Sequence, residues 1–266
     1  PIALVAIITA MVVLVGEKLT GDRHLDVPKF DWPGAVLSSA ALVSFLLAFT
    51  HAYRAGWASP PITTGFIISL AMLAGFLLRE LKASDPMLDL RLFRSKVFSM
   101  GVAARFLSFL GASTVFFLMP FYLMQCLGHT PTKAGLIMIS GAICFAVIGP
   151  ISGHVADKIG TRWPMTVGMA IAAAAMLIFS QLTIDSSPIQ TIIGLVMLGS
   201  GMGAFGSANN SAILSSIGRG KFGIGAGVLS LIRTSGSVTG VALAATIVAL
   251  TMTSLGHDPS LAGISQ

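Results

Sequence analysis

Gly153, Asp157, Lys158, Gly160 and Arg162 stand in the turn Gly-His-Val-Ala-Asp-Lys-Ile-Gly-Thr-Arg, between apolar runs at 132–152 and 164–182. An acid, two bases and two glycines at this spacing do electrostatic work rather than covalent chemistry. Gly153 ends the first run. Gly160 permits a turn where a side chain would clash. Asp157 falls near helix ends, where unpaired N–H groups favour an anion. Lys158 and Arg162 fall where anionic headgroups or partner carboxylates lie. The plain alternative is a loop that only marks one side of a membrane.

Two further basic residues fall inside apolar runs. Arg105 lies near the start of 99–124, and Arg233 lies about ten residues into 223–252. A guanidinium at membrane depth is costly and faces protein or water. Arg105 either snorkels to the headgroups or lines a cavity. Ser230, Arg233 and Ser237 share one helical face, which suits a cavity or a structural bond to a neighbouring carbonyl. Arg105, Phe109, Ala112, Phe116 and Pro120 form a stripe that is either packing or a greasy cavity wall. Asn209 and Asn210, near the inner end of 189–212, line a pathway or cap the helix. The ten acidic residues, Glu80 and Asp157 among them, fall in connections between runs. Proton coupling needs a group that titrates at membrane depth, and these runs supply no carboxylate for it.

The elements that must position these residues follow from composition. The 266 residues are 55% hydrophobic and 10% charged, with mean hydropathy +0.89. Soluble domains carry about 25% charged residues, so the chain is a polytopic membrane protein, and its net charge of +6 is no argument for nucleic acid. Runs at 1–16, 34–53, 62–79, 99–124, 132–152, 164–182, 189–212 and 223–252 read as about eight spans, the first clipped and the last with an interfacial start. Helices are expected, because lipid offers the backbone no partner. Lys158, Arg162, Arg79, Lys82, Arg91, Arg94, Lys96, Arg219, Lys221, Lys18, Arg23 and Lys29 gather in alternate connections. The other set holds Arg54 and Lys133, so the first set is cytoplasmic. Trp32 and Trp57 are placed as interface anchors, and Pro33 suits a first helical turn. Gly199, Gly203 and Gly206 share a face that continues to Asn210. Gly236 and Gly240, Gly149 and Gly153, and Gly223 and Gly227 repeat the small-x-x-x-small spacing of close helix pairs.

The turn at 153–162 resembles the inter-helix loop of the major facilitator superfamily, G-x-x-x-D-[RK]-x-G-x-[RK]. Phe30–Gly34, Pro86–Arg94, Pro120-Phe-Tyr-Leu123 and Arg233-x-x-Gly236 with Gly240-Val-Ala242 narrow the resemblance. They look like the fourteen-span drug:proton antiporters of the EmrB/QacA type, over essentially the whole chain. That resemblance implies an all-α major facilitator bundle. Residues 1–16 are then the sixth span, 17–98 a cytoplasmic linker with two inserted spans, and 99–266 the C-terminal bundle without its last helix. It implies that the 153–162 loop latches the two halves of a transporter. It implies efflux of small lipophilic or amphipathic compounds across a bacterial inner membrane, driven by protons through alternating access. The coupling acid then belongs to the N-terminal half, and a periplasmic adaptor is a further possible partner. A metabolite or siderophore exporter, or a non-transporting scaffold or receptor, are the alternatives.

The remaining signals are negative. His24, His51, His129, His154 and His257 are scattered, without metal spacing. Cys126 and Cys144 support neither a disulfide framework nor a metal site. No phosphate loop or Ser/His/Asp arrangement occurs, and Gly199-Ser-Gly201-Met-Gly203 sits in a membrane run rather than after a strand. No cofactor and no enzymatic activity are expected.

Overall fold

The computed structural model describes residues 32–82, 90–217 and 222–254, and these fall within one compact unit. The run 1–16, the connection 17–31 and the segments 83–89, 218–221 and 255–266 lie outside the described residues, so the readings placed there stand as expectations. The described residues form seven helices long and apolar enough to cross a membrane, and no strand among them. They are α1 (Trp32–Ala55), α2 (Pro60–Lys82), α3 (Lys96–Phe121), α4 (Pro131–Ile159), α5 (Arg162–Phe179), α6 (Pro188–Ser215) and α7 (Phe222–Ser254). Each overlaps one of the apolar runs.

Local chemistry sets the ends of these rods. Thr130 caps α4 by accepting from the Lys133 N–H, with Pro131 in the first turn. Ser187 caps α6 in the same manner, ahead of Pro188. Pro120 lies inside α3 and has no N–H to give. The chain answers with a wider π turn over Tyr122–Cys126, where Leu127 N–H donates to Tyr122 O. Tyr122 Oη then donates to Thr183 O at 2.7 Å, tying the C-terminal end of α3 to the α5–α6 connection. At the turn of the α1–α2 hairpin, Trp57 stacks on Phe66 and meets Phe49 edge-on. The 33 residues of α7 measure about 50 Å at helical rise, more than the ~30 Å hydrocarbon core, so this helix extends past the lipid tails.

Three residues, at the ends of two helices, differ from the sequence reading. Helix α4 does not stop at Gly153 but continues to Ile159. Asp157 therefore sits in the carbonyl end of α4, not at an N–H end. Glu80 is not in a connection; it lies in the last turn of α2 and is buried. The reason is common to all three. Hydropathy ends where the lipid ends, whereas the hydrogen-bond ladder continues into the polar layer.

Packing is organised about α6. Half of its span is buried, against 17–28% for the others. It receives α4 on one side and α5 on the other, while α3 packs on α7 and α1 on α2. Glycines explain why α6 can be central. A Cβ on Gly199 would collide with Gly141 O, and one on Gly203 would stand 2.9 Å from Phe145 O, both on α4. On the opposite face, a Cβ on Gly201 would stand 2.6 Å from Gly168 O of α5. Backbone meets backbone on both sides, the close approach that small residues permit in lipid. Gly236 and Gly240 do the same for α7, against Phe106 O and Leu110 O of α3. Gly206 departs from its assigned packing role: among the described residues, a Cβ there meets nothing within 4 Å. The same is true of Gly223 and Gly227.

Candidate functional site

Three assemblies hold the residues singled out by sequence. The first is an open cleft of about 330 Å³ at mid-height of the helices. Its walls are Phe109, Ser113 and Phe116 of α3, Ala142 and Phe145 of α4, Leu198 and Met202 of α6, and Ser237 of α7. Each helix contributes from near its midpoint, which places the cavity near the bilayer centre. Three aromatic rings and aliphatic side chains offer dispersion and little else, with the hydroxyls of Ser113 and Ser237 as polar points. Among the described residues no charged side chain lines it. Such a site suits an apolar solute with few hydrogen-bonding groups.

Of the residues proposed for the cavity, Phe109, Phe116 and Ser237 are on its wall. Ala142, Phe145 and Met202 were missed. Small residues at 141–142 were the available signal, because a wall must recede to leave a hollow, but composition alone does not say which small residues face one.

The second assembly is a polar joint. Arg105 is buried, its Nε donating to Leu229 O of α7 at 3.2 Å and its Nη1 to Asn210 Oδ1 of α6. Its guanidinium also stands 5.4 Å over the Phe109 ring, a cation–π contact. Arg105 therefore ties α3, α6 and α7 together rather than reaching for headgroups. Next to it, Asn209 is fully buried and donates from Nδ2 to Gly101 O of α3 at 3.0 Å. The two asparagines face different parts of the same helix interface, and neither lines the cavity. Phe109 belongs to both assemblies, so the joint sets the position of one cavity wall. Ser230 and Arg233 are exposed on α7, on the face that carries Ser237 into the cavity one turn further out.

The third is the turn after α4. Gly160 caps the helix with φ +88°, a conformation that costs glycine little. Asp157, Lys158 and Arg162 are exposed around it. Gly153 lies about two turns earlier in the helix, where a Cβ would stand 2.8 Å from Ser207 Oγ of α6.

A bundle of apolar, membrane-length helices around a mid-depth cavity defines a multi-pass membrane protein with a place for a small solute. Residues 101–255 match the family model of the Major Facilitator Superfamily, and the chain belongs to that superfamily. It is 30% identical over 246 residues to the riboflavin transporter RibZ of Clostridioides difficile, covering 91% of this chain and 52% of that protein. It is 30% identical over 254 residues to the tetracenomycin C resistance and export protein of Streptomyces glaucescens, covering 94% and 46%. The lincomycin resistance protein LmrB of Listeria monocytogenes is 27% identical over 177 residues, 66% of this chain and 38% of that protein. The chain spans about half the length, or less, of these curated relatives.

Proposed function

We propose that the chain is part of a proton-driven efflux transporter of the fourteen-span drug antiporter type, exporting lipophilic or amphipathic compounds across a bacterial inner membrane. The observation that carries this is the aromatic cavity at mid-depth, uncharged on the walls this chain supplies. Residues 99–266 act as one bundle that rocks about this cavity, and 17–98 link it to the other half. Two relatives named for resistance to lincomycin and to tetracenomycin C support drugs as substrates. A relative named a riboflavin transporter supports a metabolite as the second reading. Proton drive rests on the resemblance, and so does a periplasmic adaptor.

The test is dye efflux from cells expressing the complete transporter. Ala142→Trp fills the cavity from a position whose side chain is exposed rather than packed. Efflux is expected to fall at least tenfold, equivalent to about 1.4 kcal/mol, with the melting temperature unchanged. An uncoupler is expected to stop efflux in the unmodified protein. Undiminished efflux by the tryptophan variant would remove the cavity from the pathway, and efflux indifferent to the uncoupler would remove the proton.

The turn at 153–162 acts as a latch on the cytoplasmic side through Asp157, Lys158 and Arg162, with Gly160 shaping it. Asp157→Asn is expected to slow transport and to change cysteine accessibility from the two sides. Stability is expected to shift by less than about 0.5 kcal/mol, as for other exposed positions. Transport and accessibility both unchanged would reduce the turn to a topological marker.

A further inference from the structure

The central cavity has a neighbour. A second hollow, of about 390 Å³, lies between α1 and the α3–α7 pair, with Phe117, Val241 and Ala245 as apolar walls and Thr50 and Ser237 as polar points. Ser237 also lines the central cavity. On α3 the adjacent rings divide in the same way, Phe116 to the central cavity and Phe117 to the second hollow. The two spaces are thus separated by the seam between α3 and α7.

That seam changes character along its length. Up to Gly240 the helices touch through backbone, with glycine against Phe106 O and Leu110 O. Beyond Gly240, α7 has no further glycine, and what the two helices present to the hollow is side chains, Phe117 from α3 and Val241 and Ala245 from α7. Side chains can turn aside where backbone cannot. Thr50 is five residues from the outer end of α1, about 8 Å at helical rise, so the hollow reaches into the outer leaflet. The hydroxyl of Thr246 is taken by the carbonyl one turn back, and that of Thr114 lies at 3.1 Å from both Leu110 O and, across the seam, Gly240 O. Those of Thr50 and Ser237 have no partner among the described residues.

We propose that this hollow is a side door, in which a lipophilic solute bearing a hydrogen-bonding group rests between the central cavity and the outer leaflet. Phe117 is the moving wall and α1 the outer jamb. The proposal rests on the central cavity being a solute site. Three observations favour a solute over a lipid chain: the wall shared at Ser237, a volume within the range of small-molecule pockets (about 300–1,000 Å³), and two free hydroxyls that an acyl chain cannot use.

The experiment is photolabelling of the complete transporter in proteoliposomes. One arm uses a small neutral aryl diazirine, the other a phosphatidylethanolamine with a diazirine in its acyl chain, and labelled residues are mapped by mass spectrometry. The aryl compound is expected to label both the Phe116 region and the Val241 region. Ala245→Trp, or Thr50→Phe from the opposite wall should the first variant fail to fold, is expected to lower labelling of the second hollow roughly tenfold and leave the first unchanged. Labelling by the lipid that excess unlabelled aryl compound does not reduce would make the hollow a lipid site and overturn the door. Central labelling without labelling at Val241 would overturn the door alone. No labelling at either place would overturn the solute cavity with it.

Discussion

Gly199→Ala is expected to destabilise the bundle by about 3 kcal/mol, the upper range for overpacking, and to abolish transport. The added methyl would occupy the position of Gly141 O on α4. A flexible side chain could swing away, but a carbonyl in a helix moves only with the helix. Displacing α4 would also shift Ala142 and Phe145, so the cavity loses its shape along with the packing. The control is on the same helix. Gly206→Ala carries the same loss of flexibility and the same gain in helix propensity, yet its methyl meets open space among the described residues. Thermal melting in detergent should separate the two variants clearly, with Gly206→Ala within about 0.5 kcal/mol of the parent. Equal melting temperatures would mean that α4 and α6 do not meet at Gly141 and Gly199.

Arg105→Ala is expected to cost about 2–3 kcal/mol. Hydrogen bonds to a charged group contribute roughly 1.5–3 kcal/mol each in water-soluble proteins, but bonds between membrane helices average nearer 0.6 kcal/mol. Two such bonds, with Asn210 and Leu229 O left unpaired in a buried joint, fall between those limits. Arg105→Lys keeps the charge but loses the planar fork that reaches α6 and α7 together, and should recover only part of the loss. The discriminating measurement is a double-mutant cycle with Asn210→Ala, where a coupling of about 1–2 kcal/mol is expected. Additive losses would deny the bond across α3 and α6. Because Phe109 lies under the guanidinium and also on the cavity wall, a change in substrate preference should accompany the loss of stability.

The residues differ in how plainly they announced these roles. Phe109 and Phe116 were legible as one stripe, since helical spacing limits which rings can share a face, but whether that stripe packs or faces a hollow was open in the sequence. Arg105 was legible as a costly group needing partners, but not which ones: Leu229 is 124 residues away. Gly201 was given no packing role because the stripe through Gly199 and Gly203 drew attention to one face of α6. The opposite face is equally bare, and it receives Gly168 of α5. Gly206 continued the same stripe and yet packs on nothing among the described residues. Spacing puts residues on one side of a rod but says nothing about where a crossing rod leaves it.

Hydropathy and charge are properties of each stretch by itself. The cost of moving a residue into lipid is paid locally, and a basic connection is retained on one side of the bilayer without reference to the rest of the fold. The number of described spans, their order and their expected orientation were therefore written in the chain, as was the family. Which glycines meet, which arginine is tied and which rings enclose a hollow are products of helices crossing at particular heights and angles. Those follow from the fit of surfaces distant in sequence, and only the folded bundle brings α6 between α4 and α5 and opens the space that Ser237 shares between two hollows.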